Sequence, residues 1–114
     1  MNSIICAPIT ETDANTFLAA IHEAERIADA VELRGDYLPE PENDVIRVIK
    51  TLSVPSHKVQ KPLILTYRPR EQGGQKDIKF NDRIGFWRRF GGWDVITYAD
   101  IEWDLVEHLD MAVL

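Results

Sequence analysis

Residues 62–68 read PLILTYR, an unbroken apolar run closed by an arginine. Pro62 stands in front of the run, and Pro69, Gly73 and Gly74 follow it, so turn residues bound a segment too short for a helix. Its β-branched and aromatic content predicts a strand. Side chains alternate along a strand, which sets Leu65 and Tyr67 on one face and Thr66 and Arg68 on the other. The same division recurs on both sides. Upstream, AVELR at 30–34 sets Val31 and Leu33 against Glu32 and Arg34; downstream, VITYADIEW at 95–103 sets Ala99, Ile101 and Trp103 against Asp100 and Glu102. A further apolar run, SIICAPI at 3–9, predicts a first strand ended by Pro8.

Helical patterns separate these strands. Thr10–Asp13 supply caps ahead of a helix of about four turns with Phe17, Ile21, Ala24 and Ala28 on one face. Gly35–Pro41 form a loop, and Pro41 with the acids after it starts a second helix that turns Val45, Ile46, Ile49 and Leu52 inward. Residues 53–57 break it. Residues 80–90 group Phe86, Trp87 and Phe90 before Gly91 and Gly92, and Leu105, Leu109 and Val113 predict the start of a last helix cut short by the chain end. Four strands alternating with four helices make the chain an α/β protein of four βα units around a parallel sheet.

The 114 residues suffice for one domain, 1–114, and no repeat or low-complexity linker divides them. With 13 basic against 19 acidic side chains, the net charge of −6 speaks against nucleic acid, whose phosphates are held by clustered Lys and Arg. The mixture of aromatic and basic residues at Trp87, Arg88, Arg89, Phe90 and Trp93 reads as a packing face with solvated arginines. The single cysteine, Cys6, cannot close an internal disulfide. No run has the length of a membrane span and no basic leader precedes the first apolar run, so a soluble, cytoplasmic protein is the expectation. Gly73-Gly74 lacks the spacing of a phosphate loop and reads as a turn. No metal-ligand spacing is present and no cofactor is implied.

Each of three strands thus carries one apolar face and one face that turns charged near its C-terminal end. A doubly covered parallel sheet wants both faces apolar, and burying an unpaired charge costs several kcal/mol. A barrel of parallel strands resolves the conflict, because its interior opens at the C-terminal rim into a pocket. Glu32, Arg34, Arg68, Asp100 and Glu102 are expected to line one mouth; structural ion pairing at strand ends is the alternative reading of the same residues.

The segments IICAPIT, DAVELRGDYL, KPLILTYRPREQGGQ and YADIEW, in this order and spacing, resemble the first half of type I 3-dehydroquinate dehydratase, a lyase of the shikimate pathway built as a (β/α)8 barrel. The resemblance implies half of such a TIM barrel. It implies that Glu32 and Arg34 contact the ring hydroxyls of a small hydroxy acid and that Arg68 belongs to the same polar clamp, the planar guanidinium fork being suited to hydroxyl or carboxylate oxygens. It implies that Asp100 and Glu102 form pocket wall and charge balance. Two positions depart from the family: Gln72 stands where a glutamate ordinarily supports the catalytic histidine, and Ala7 where many relatives have Ser or Thr.

The family forms an imine between a lysine and the substrate ketone, and a histidine then moves the proton. None of Lys50, Lys58, Lys61, Lys76 and Lys79 has a matching position, and His22, His57 and His108 read as surface or packing residues, so no catalytic residue is identified and little turnover is expected of the chain alone. A closed barrel needs about 200 residues or more. The chain is therefore expected to be a fragment of the enzyme, a half-barrel that associates as a homodimer through its open sheet edges, or a noncatalytic small-molecule-binding module.

Overall fold

The computed structural model describes residues 3–109. Four strands, β1 (Cys6–Ile9), β2 (Ala30–Arg34), β3 (Leu63–Thr66) and β4 (Tyr98–Asp100), form one parallel sheet in the order β1-β2-β3-β4. Helices α1 (Ala14–Ala24), α2 (Pro41–Leu52) and α3 (Phe80–Phe90) connect them, and a single turn, α4 (Trp103–Val106), follows β4. This is the open α/β sheet predicted from the alternation of patterns.

Local chemistry explains the boundaries. The Asp13 carboxylate accepts the Thr16 N–H at 3.0 Å and so caps α1. Pro41 occupies the first turn of α2, where its missing N–H leaves no bond unmade. Helix α1 ends at Ala24, shorter than the periodicity predicts, although Ala28 beyond it is still buried. Strand β1 continues through Pro8 to Ile9 rather than stopping at the proline, since an edge strand has one side whose donors need no partner.

All three long helices pack on one face of the sheet. Phe17 and Ile21 of α1, Val45, Val48, Ile49 and Leu52 of α2, and Phe86, Trp87 and Phe90 of α3 share one core with Ile9, Val31, Leu33, Leu63 and Leu65. Ile46, expected inward, is only partly buried, and Val48 takes the core position. Register explains the one-sidedness: Ile9, Leu33, Leu65 and Ala99 lie in one row across the four strands, facing the helices.

The largest deviation from expectation is at β4. The strand expected over 95–103 is only Tyr98–Asp100, and Trp103 opens α4 with 87% of its surface exposed instead of packing beside Ile101. A turn closed by the Ile96 N–H on the Trp93 carbonyl delays the strand, and the anchoring of Glu102 and Asp104 by α3 ends it. Leu105 and Leu109 are buried as predicted, while Val113 lies outside the described residues.

Candidate functional site

The face of the sheet away from the helices is uncovered. Its register rows are Pro8, Glu32, Ile64 and Tyr98, and, one step nearer the C-terminal ends, Arg34, Thr66 and Asp100. Arg68 lies two residues beyond Thr66 and continues the same parity. Four of these residues meet. The Thr66 hydroxyl, fully buried, donates to Glu32 Oε2 at 2.7 Å and lies 3.4 Å from Asp100 Oδ2. Arg68 Nη2 donates to Asp100 Oδ2 at 2.9 Å and stands 4.0 Å from Glu32 Oε2. One cation is thus held between two carboxylates, and a third of the Arg68 side chain remains in solvent. Such a group can exchange water for the oxygens of a polar ligand.

Arg34 shares this face but is held differently. Its Nε and Nη2 donate to the two oxygens of Asp36 at 3.1 and 2.9 Å, and its guanidinium lies 5.2 Å from the centre of the Tyr37 ring. Burial works against the cation, yet the Asp36 hydrogen bonds and charge prevail and raise its pKa. Asp36, fully buried, also accepts the N–H of Gln75 at 3.0 Å.

Glu102 does not join Glu32, Arg34, Arg68 and Asp100 at a common mouth. It precedes α4, and its carboxylate accepts from Arg83 Nη2 of α3 at 3.1 Å, which turns it toward the helix layer. The strand alternation that would have aimed it at the open face ends at Asp100. Arg83, 3% exposed, also forks onto Asp104 at 3.0 and 2.8 Å, and Gln72 Nε2 reaches Asp104 Oδ1 at 3.4 Å. The same cation has opposite consequences for its two acids. Burial raises the pKa of Glu102 against the pull of Arg83, whereas the Arg83 hydrogen bonds lower that of the half-exposed Asp104. Gln72 therefore belongs to this second cluster.

The departure at Ala7 has little bearing on the open face, because Ala7 pairs with Val31 on the helix side. Thr66, Asp36, Arg83 and Asp104 were missed in the sequence. Thr66 and Asp36 had a signal, since a lone polar residue in PLILTYR and an acid two places after Arg34 both sit beside residues already singled out; Arg83 had none.

Among the described residues the lysines and histidines make no hydrogen bond or ion pair with Glu32, Thr66, Arg68 or Asp100. Lys61 donates to the Ala28 carbonyl at 2.8 Å and Lys76 to that of Leu38, while Lys50, Lys58 and Lys79 are exposed on α2, in a loop and ahead of α3. His22 lies against Glu25 and 6.0 Å from His57, and His108 meets the edge of Phe80. Arg88 and Arg89 are exposed. Among the described residues no group of His, Cys, Asp and Glu could hold a metal, and no helix is long and apolar enough to cross a membrane. A cleft of about 750 Å³ between Lys58, Gln60, Lys61, Asp94 and Thr97 lies at the opposite, N-terminal end of the strands. Gly73 and Gly74 make a turn, Gly73 with φ of 89°.

Comparison with known proteins adds independent findings. The sequence profile of type I 3-dehydroquinase matches residues 5–114. The bifunctional 3-dehydroquinate dehydratase/shikimate dehydrogenase of Arabidopsis thaliana chloroplasts is 33% identical over an 84-residue alignment that covers 71% of this chain and 13% of that protein. Among solved structures, the type I 3-dehydroquinate dehydratase of Clostridium difficile superposes with a TM-score of 0.80 at 22% identity, over 92% of this chain and 42% of that one. The 3-dehydroquinate dehydratase of Enterococcus faecalis gives 0.77 at 27% identity, over 90% of this chain and 43% of the other. The chain spans less than half the length of these relatives.

Proposed function

From the premise that this chain belongs to the type I 3-dehydroquinase family, we propose that its open sheet face carries the substrate clamp of a 3-dehydroquinate dehydratase. In this reading Arg68, with Glu32 and Asp100 on either side, and Arg34 engage the hydroxyl and carboxylate oxygens of 3-dehydroquinate. The observation that carries it is the convergence of Glu32, Thr66, Arg68 and Asp100 from three adjacent strands on an uncovered face.

The reaction proposed for the assembled site is that of the family. A lysine amine condenses with the substrate ketone and expels water; a proton then leaves the carbon beside the imine and a hydroxyl departs as water; hydrolysis frees 3-dehydroshikimate. The clamp contributes orientation of the ring during these steps. The bonding of Lys61 and Lys76 to backbone carbonyls supports the reading that these residues do not form the imine. The chain by itself is expected to bind without turnover.

Calorimetric titration with quinate tests the clamp: heat from the native sequence and its loss in Arg68→Ala are expected. Equal stability with no ligand response in either protein would reduce the cluster to structural ion pairs. Borohydride reduction in the presence of 3-dehydroquinate, followed by mass spectrometry, is expected to leave all five lysines unmodified, and an adduct on any of them overturns the expectation of inactivity.

Self-association has separate support. Strands β1 and β4 have no partner on their outer sides among the described residues, and Ile4, Ile5 and Tyr98 beside them are more than half exposed. A two-fold axis along the strands would pair each β4 with the β1 of a second copy and keep every strand parallel. Light scattering after size exclusion should then give twice the 13.1 kDa chain mass; a clean monomer contradicts it.

A further inference from the structure

We propose that Asp36 is a positioning residue that fixes Arg34 and Arg68 relative to each other, so that the open face presents two guanidinium groups at a set separation to an anionic hydroxy acid. The inference rests on the clamp reading and extends it to a residue outside the clamp. Asp36 follows β2 by two residues and is fully buried. Its oxygens serve three donors: Arg34 Nε, Arg34 Nη2 and the backbone N–H of Gln75, 39 residues away. A carboxylate that holds a guanidinium through Nε and Nη2 engages its side, and among the described residues Arg34 Nη1 has no acceptor. The end of the fork is therefore left for a ligand.

The third bond links this anchor to the other arginine. Gln75 belongs to the segment after β3, which folds back on itself: the Gly74 N–H donates to the Pro69 carbonyl at 2.9 Å and the Arg70 N–H to the Lys76 carbonyl at 2.9 Å. The fold-back is so close that a Cβ on Gly74 would lie 1.8 Å from the Arg68 carbonyl oxygen. The Gln75 amide is thereby coupled to the backbone that carries Arg68. Releasing the Gln75 N–H would forfeit a hydrogen bond to a fully buried charged group, which makes the strut stiff.

The test compares the native chain with Asp36→Asn, which keeps the shape but places an amide N–H₂ where a donor must be accepted. Hydrogen exchange of the Gln75 amide is expected to accelerate at least about tenfold, and quinate affinity to fall at least about tenfold, as for loss of a hydrogen bond to a charged group. Arg34→Lys should weaken quinate while leaving Gln75 protected. Should Asp36→Asn fail to fold, Asp36→Glu, which keeps the charge and displaces the oxygens by one methylene, should show the same loss of affinity with the fold retained. Unchanged Gln75 exchange overturns the strut, and lost protection with unchanged affinity overturns the positioning role. If the native chain gives no heat with quinate, the clamp reading fails and positioning with it, while Gln75 exchange still reports whether Asp36 joins the two segments.

Discussion

Single positions carry constraints that neighbouring ones do not. Gly74 is required by close approach, since any side chain there meets the Arg68 carbonyl oxygen at a distance no Cβ adopts. Gly74→Ala should cost about 2–3 kcal/mol, read as a fall of about 10 °C in melting temperature, because backbone rather than a flexible side chain must move. Tyr67 is 7% exposed and stacks on Phe86 at 3.8 Å between ring centres. Burial, with Asp82, Glu42 and Asp36 nearby, pushes its phenol up to about 12. The folded state therefore retains a proton that the unfolded chain gives up near pH 10, so stability present below that pH is lost as pH rises toward 12. Tyr67→Phe keeps the stack and should remove that part of the alkaline loss in urea melts; an unchanged alkaline limb would show that Tyr67 is not its source.

Among elements, α4 is one turn long and owes its place to Arg83. Too short to be stable by propensity, it is pinned by ion pairs from α3 to Glu102 and Asp104. Arg83→Met fits the buried volume but leaves the Glu102 carboxylate, 6% exposed, without its cation, and should cost about 3–5 kcal/mol in urea unfolding. The acid dependence has a sign. Asp104 lies below its ordinary value of 3.8, so its contribution is present above that pH and lost as pH falls through the lower folded-state value. Native and Asp104→Asn stabilities should accordingly differ at neutral pH and converge below about pH 4; a constant gap down to the acid limit would place the acid sensitivity elsewhere. The C-terminal boundary of β4, which the pattern misjudged, has the same origin. The run VITYADIEW alternates like a strand throughout, but a tertiary anchor 19 residues upstream of Glu102 takes over at its end, and no periodicity within the run records that.

At the scale of the molecule, a single layer of helices covers one side of a four-stranded sheet. The other side holds the polar cluster and an exposed Tyr98, 61% open to solvent, on the last strand. If copies pair through these edges, Tyr98→Lys should shift the mass seen by light scattering toward 13.1 kDa with little change in melting temperature, since a lysine on an edge strand opposes pairing and Tyr98 adds nothing to the core. Persistent association in that variant would remove the edges from the interface. The arrangement of β1 to β4, the face shared by Glu32, Thr66 and Arg68, and the helix-facing row of Leu33 and Leu65 all follow from the order of residues, because a period of two and a period of 3.6 are local properties of the chain. The separation of Glu102 from Asp100, the burial of Arg83, and the bond between Asp36 and the Gln75 amide were decided only by packing. Each depends on which distant donor lies within about 3 Å of a carboxylate, and such distances arise between segments whose spacing along the chain contains no trace of their meeting.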